Sequence, residues 1–222
     1  MSQRIALFDL DNTLLKGDSD HAWGEFLINR GLVDAKTHRT KNDQFYKDYL
    51  TGNLDIHAYV AFTLGPILNY SCKKRNILRA DFMEHSINSM ILHKARKLIN
   101  KHKCAGDLCV IITATNSFIT APISEALKVD NLIATEVEVN NGYLTGKISG
   151  TPCYQHGKLE KLKQWLTLNA NHAPIKNSVF YSDSINDLAL LEEVNEPIAV
   201  DPDNKLLQIS LERNWQVLSL RE

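Results

Sequence analysis

Four short apolar runs punctuate the chain: Arg4 to Phe8, Leu108 to Ile112, Ser178 to Tyr181 and Pro197 to Val200. Each is followed by polar residues and then a helix-like pattern, the alternation that builds a parallel sheet with helices on both faces. About 100 residues separate the first run from the second, far more than one crossover helix needs, so the pattern predicts an insertion there. Between Asp18 and Glu84 apolar positions recur at helical spacing, as in Trp23, Phe26, Leu27 and then Phe45, Tyr49, with turn signals at Asn29 to Gly31, Gly52 and Gly65-Pro66. This predicts a separate helical unit. A helix is expected over Ile87 to Lys103, ending in cations suited to a helix C-terminus, and another over Gly157 to Leu168, whose Leu159, Leu162, Trp165 and Leu166 form a core-facing stripe. Asn140-Asn141-Gly142 joins two runs of strand composition, Thr135 to Val139 and Tyr143 to Ile148, and predicts a β-hairpin.

Composition narrows the class without changing this picture. The 222 residues exceed one typical domain, 44% are apolar and 23% charged, and the formal net charge is -1. No polycationic field exists for a phosphate backbone, so nucleic acid is not an expected partner. The longest apolar runs fall far short of the ~20 residues that span a bilayer. Cys72, Cys104, Cys109 and Cys153 show no metal-ligand spacing, and reduced thiols in a cytoplasmic protein are expected.

The chemistry concentrates where the apolar runs end. In Phe8-Asp9-Leu10-Asp11-Asn12-Thr13 the alternation of an extended chain sends Asp9 and Asp11 to one side, at the strand end where open α/β sheets build their sites. Two adjacent carboxylates call for a cation, a shared proton, or both; the plainer alternative is an Asp-Asn turn. Thr113 ends the second run, Lys158 opens a helix after Gly157, and Asp183 and Asp187 follow the third run. Taken singly, these read equally as a helix cap, a solvated lysine and a polar turn.

Taken in order, DLDNT at Asp9, IIT ending at Thr113, GK at Lys158 and YSDSIND at Asp183 and Asp187 resemble the four motifs of the haloacid dehalogenase superfamily of phosphohydrolases. The resemblance spans essentially the whole chain and is similar to the phosphoserine phosphatase-like branch. It implies a Rossmann-like doubly wound α/β core over residues 1–16 and 86–222, a helical cap over 17–85 between the first and second motifs, and the β-hairpin. It further implies Asp9 as nucleophile and Asp11 as general acid and base, with Thr113, Lys158 and Asn186 on the phosphate. Mg2+ would be held by Asp9, Asp11 through its main-chain carbonyl, and Asp183, with Asp187 in support. With Asp11 protonated, the three remaining carboxylates and a phosphate dianion outweigh Lys158 by four charges, which is why the cation is needed. Thr115 is left between touching phosphate and shaping its loop.

The substrate is expected to be a small phosphomonoester recognised by the cap. Asp18, nine residues after Asp9, has the spacing of the family's amine ligand but also that of a helix N-cap. The stretch Tyr59 to Leu64 offers no cation for a substrate carboxylate, and Arg39, Lys73, Lys74 and Arg75 are less well placed. That weakens phosphoserine and favours a phosphorylated amino alcohol, with His21, Trp23, Phe45, Tyr46 and Tyr49 as residues able to receive a ring such as imidazole. The chain is similar to the subgroup that contains bacterial histidinol-phosphate phosphatases. Phosphoserine, a sugar, nucleotide or lipid phosphate, and a Mg2+-binding module without turnover are the alternatives; the oligomeric state is left open. Hinges are expected at Leu15 to Gly17 and Glu84 to Asn88.

Overall fold

The structure, a computed structural model, describes residues 3–169 and 174–221. In chain order its elements are β1 (Ile5–Phe8), α1 (Ser19–Asn29), α2 (Ala35–Thr51), α3 (Ile56–Leu64), α4 (Cys72–Phe82), α5 (Asn88–Met90) and α6 (His93–Cys104). There follow β2 (Leu108–Asn116), α7 (Ser117–Leu127), β3 (Asn131–Thr135), β4 (Val137–Asn140), β5 (Tyr143–Ile148) and α8 (His156–Leu168). The chain closes with β6 (Ser178–Ser182), α9 (Leu188–Leu191), β7 (Glu196–Val200), α10 (Asn204–Glu212) and β8 (Gln216–Leu218).

Among the described residues the main sheet has six strands in the order β3-β2-β1-β6-β7-β8, all parallel. The chain winds outward from β1 in both directions, so the topological switch lies beside β1, where such sheets open a crevice at their carboxyl ends. Alternation along the strands divides the interior in two. Ile5, Leu7, Val110, Ile112 and Phe180 face Leu162, Leu190 and Leu206. Ala6, Phe8, Cys109, Ile111 and Tyr181 face Ala95, Ile99, Ile119 and Ile123, and that layer runs on without a break into Trp23, Phe26, Leu27, Val60, Leu64 and Phe82 of the inserted helices.

The insertion forms as expected, and each of its helices starts on a side chain that caps an orphan amide. Asp18 accepts from His21 N, Asp34 from Thr37 N, Asp55 from His57 and Ala58 N, and Ser71 from Lys74 N. Gly52 ends α2 with φ 76°, a conformation cheap only for glycine.

Three expectations need correction. The helix predicted over Ile87 to Lys103 is interrupted: a π-helical turn (Met83–Ile87) precedes α5, and the extended residues Ile91 and Leu92 separate α5 from α6. There Ile91 bridges Leu15 antiparallel, Lys16 N donates to Met90 O and Leu92 N to Leu14 O, so a pairing 76 residues apart in sequence overrides local periodicity. Thr135 closes β3 rather than opening the hairpin, whose strands are β4 and β5, with Asn141 and Gly142 at φ 49° and 79° in the turn. β3 and β8 carried too weak an apolar signal to be predicted. The strand ending at Thr113 runs on to Asn116, with an irregular register against β3 between Ile112 and Asn116.

Candidate active site

Asp9 leaves β1 still paired, its amide donating to Tyr181 O at 2.9 Å, and its side chain emerges buried at the strand's carboxyl end. Asn12 then turns the chain through φ 57° and its amide returns to Gly17 O, folding Asp11 back over the same rim. The irregularity at Thr113 to Asn116 swings the end of β2 toward it, a use to which bulges beside sites are often put. Lys158 arrives from α8. Gly157 is required just before it, because a Cβ there would stand 2.1 Å from Pro152 O.

These elements bring distant side chains together. The ammonium of Lys158 is fully buried and donates to Asp9 Oδ1 at 2.8 Å and Asp187 Oδ2 at 2.7 Å; Ser182 Oγ also donates to Asp187 Oδ2. Thr13 Oγ1 lies 2.9 Å from Asp183 Oδ1 and 3.4 Å from Asp9 Oδ2, tying those two carboxylates to one hydroxyl. Asp11 is held on both oxygens: Ser19 N donates to Oδ1 at 2.6 Å and Thr115 Oγ1 to Oδ2 at 2.7 Å. Thr113 is buried and its Oγ1 accepts from Thr115 N.

The electrostatics follow from burial. It lifts Asp9 above the ordinary carboxylate range, against the pull of Lys158 and with the push of Asp11. Burial and Asp18 carry Asp11 to about 7, and burial carries Asp187 to about 6 despite Lys158. Asp183 is raised by burial and then by the charge of Asp9. Burial opposes the charge of Lys158, but Asp187 and Asp9 outweigh it and keep the ammonium above its usual value.

Asp9 and Asp11 share one cavity with Asp18, Asp20, Tyr46, Tyr49, Tyr59 and Thr113, closed by the inserted helices to a volume of about 20 Å³, room for about one water. Among the described residues neither lysine nor arginine lines it. The arginines of the inserted helices are engaged elsewhere: Arg39 with Glu25, Arg75 with the carbonyls of Tyr70 and Gly142, and Arg79 with Phe118 O. Asp18 caps α1 and also lines the cavity.

Three expected ligands stand elsewhere. Trp23 is wholly buried, donates to Thr63 O and packs against Phe26, Phe82 and Phe118, so it is a core residue. His21 pairs with Asp43 at 2.9 Å and packs against Tyr46 from outside the cavity. Asn186 donates to Tyr49 O at 3.0 Å, joining the core to α2 rather than lining the cavity. Asp20 and Tyr59 also line the cavity. Asp20 sits inside the first turn of α1, where a sequence reading sees a helix start, and Tyr59 lies on an apolar helix that reads as core.

Among the described residues no three His, Cys, Asp or Glu side chains converge as a ready-made cation cage. The donor set nevertheless suits Mg2+, which is commonly held by one or two carboxylates and completed by water and phosphate oxygens. Asp9 and Asp183 supply two hard anionic oxygens tied to one hydroxyl, and burial lifts both, with Asp11 pushing Asp9 further up and Asp9 doing the same to Asp183.

A family model of haloacid dehalogenase-like hydrolases matches residues 6–192. The chain is 41% identical over 221 residues to a histidinol-phosphatase of Neisseria meningitidis serogroup C (strain 8013), covering 99% of this chain and 100% of that protein. A crystal structure of a protein of unknown function from Bordetella pertussis Tohama I superposes with a TM-score of 0.91 at 40% identity, covering both chains fully. A phospho-aspartyl intermediate analogue of phosphoserine phosphatase superposes at 0.70 over 100% of this chain and 95% of that one; at 16% identity it speaks for the fold.

Proposed function

The chain belongs to the haloacid dehalogenase-like hydrolase family and is a phosphoric monoester hydrolase, and we propose that its substrate is histidinol phosphate, cleaved through an aspartyl phosphate on Asp9 with Mg2+ bound. The observation that carries the substrate reading is the cavity wall: Asp18 and Asp20 supply carboxyl groups and Tyr46, Tyr49 and Tyr59 aromatic side chains, while among the described residues no lysine or arginine lines it to receive a carboxylate. An ammonium and an imidazole suit that wall. Phosphoserine would leave its carboxylate facing aspartates. The whole-length identity to a histidinol-phosphatase points the same way.

In the mechanism, Asp9 Oδ attacks phosphorus, the ester P–O bond breaks, and its electron pair passes to the leaving oxygen, which takes a proton from Asp11. Water then attacks that phosphorus and gives a proton to Asp11, while the bond from phosphorus to Asp9 breaks, its electron pair returns to the carboxylate, and inorganic phosphate leaves. A carboxyl lifted to about 7 by burial and Asp18 is suited to both transfers near neutral pH. Lys158 keeps Asp9 oriented and neutralises phosphoryl charge, with Asp187 and Ser182 fixing the ammonium. Thr113 stands ready to donate to a phosphoryl oxygen. Mg2+, held by Asp9, Asp183 and the main-chain carbonyl of Asp11, would supply further charge neutralisation. The cavity admits no phosphomonoester at about 20 Å³, so residues 17–85 act as a cap that moves for entry and release. Four free cysteines suit a reducing, cytoplasmic setting, and no helix among the described residues is long and apolar enough to cross a membrane.

The test is Mg2+-dependent phosphate release from histidinol phosphate, phosphoserine, sugar phosphates, nucleotides and a lipid phosphate, ranked by kcat/KM. Histidinol phosphate is expected to lead phosphoserine by about 100-fold or more, the cost of leaving a carboxylate unpaired in a buried site. A flat ranking, or phosphoserine in the lead, overturns the substrate assignment.

A further inference from the structure

Asp11 changes charge twice in each turnover on the reading above, and its carboxyl must point at the reacting oxygens both times. Two bonds hold it. The Ser19 amide comes from α1, part of the insertion that must shift for a substrate to enter; the Thr115 hydroxyl comes from β2, in the sheet. We propose that Thr115 is a positioning residue for Asp11, the one contact that keeps the acid aligned through the whole cycle, whatever the inserted helices are doing. The inference rests on Asp11 being the acid.

The geometry supports it. Thr115 is buried, its amide is tied to Thr113 Oγ1, which fixes its backbone, and its hydroxyl lies 2.7 Å from Asp11 Oδ2 with Asp20 as its other carboxyl neighbour. The next residue anchors the strand end: Asn116, wholly buried, caps α7 by accepting from Ile119 N, while its amide reaches across to Asp20 Oδ1 in α1 at 3.1 Å. A hydroxyl is also the right group for a partner that alternates between acid and base. It donates to the ionised carboxylate and accepts from, or yields to, the protonated one, whereas the Ser19 N–H can only donate. Oδ1 therefore stays an acceptor, and the transferable proton belongs on Oδ2, the oxygen beside Thr115. Without the hydroxyl the carboxyl would pivot about its remaining bond, and small misplacement of a catalytic group costs rate steeply.

The test separates alignment of the acid from general damage. kcat/KM reports only events up to the first departure of the leaving group; an alkoxide needs the Asp11 proton and nitrophenolate does not. Thr115→Val is expected to lower kcat/KM for histidinol phosphate by about tenfold or more, with a loss at least about fivefold smaller for p-nitrophenyl phosphate. Thr115→Ser should recover most of the difference, and Thr115→Ala carries the same comparison if valine disturbs the packing. Equal losses on both substrates, or no loss on histidinol phosphate, overturn the proposal. Asp11→Asn is the reference. If it too fails to discriminate between the substrates, the acid assignment falls and the proposal with it; if it discriminates and the Thr115 variants do not, the proposal alone falls.

Discussion

At the scale of single residues, the site depends as much on what is small as on what is charged. Lys158 reaches Asp9 and Asp187 only because the first turn of α8 lies tight against Pro152, and Gly157 alone permits that approach. Any side chain there must push α8 away from the Pro152 carbonyl, which moves the ammonium off both carboxylates and leaves buried charges unpaired. Gly157→Ala is therefore expected to lower kcat at least about 100-fold, in proportion to misplacement of a charged group by about 1 Å. It should also destabilise the fold by about 1–3 kcal/mol. Steady-state kinetics beside a urea melt checks this; near-native activity in that variant would show that α8 does not place the lysine. The apolar residue Trp23 makes the complementary point. It was expected in the substrate site on chemical grounds, yet ring area of that size gains more by joining Phe26, Phe82 and Phe118 in the core.

At the scale of elements, the insertion is joined to the sheet through two chain segments that meet at one isolated bridge. Leu15 and Ile91 form an antiparallel bridge, flanked by Gly17 at φ 123° on the outgoing side and the π-helical turn Met83–Ile87 on the returning side. Irregular backbone on both sides of one short bridge is where a rigid-body motion would concentrate. Gly17→Ala places a Cβ 3.2 Å from Met90 Cε in a conformation that L-residues avoid. The expected result is a loss of about 1–3 kcal/mol of stability, together with a lowered kcat that tracks product release. Rapid acid-quench measurement of total phosphate reads that directly: a retained burst with slower steady-state turnover is expected, and an unchanged steady state removes Gly17 from the motion.

The same elements mark how far the sequence could be read. β1, β2, β6 and β7 were visible because buried parallel strands are continuous apolar runs, and the motifs at their ends fell on one rim as a consequence of topology. The hairpin turn was visible because Asn141-Gly142 suits two consecutive positive φ values. The break at Ile91 was not visible, since it is dictated by a partner strand far away in sequence. Nor could local sequence tell that Asn186, sitting inside a motif, spends its amide on Tyr49 O in α2. Tertiary hydrogen bonds between the insertion and the core are pairings of polar residues with no periodic signature, and they decide the details of the site.

At the scale of the whole molecule, the cavity gathers Asp9, Asp11, Asp18 and Asp20, and hydrogen bonds tie Asp183, Asp187 and the ammonium of Lys158 to the same cluster. A protein that buries so much like charge holds it at the expense of its own stability. The sign of the pH dependence follows from the shifts. Asp11 rises to about 7, Asp18 to about 6 and Asp187 to about 6, each from 3.8 and each chiefly through burial. A group whose folded value is raised favours the folded state fully below its unfolded value and loses that contribution as pH climbs through the folded one. The window therefore lies between about 4 and about 7. Protein stripped of divalent ions should melt higher as pH is lowered from 8 to about 5.5, by several degrees, since about 1 kcal/mol moves the melting temperature of a chain this size by about 2–4 °C. Mg2+ should supply the same relief by another route. Added at pH 8 it should raise the melting temperature by mass action, and the gain should shrink as the pH is lowered, because burial raises both Asp9 and Asp183 and lets protons compete with the cation for them. Differential scanning calorimetry across that range, with and without Mg2+, checks both halves. A metal-free protein whose melting temperature falls steadily from pH 8 to 5.5 would mean that these carboxylates are already paired, and that neither proton nor cation is needed to hold them together.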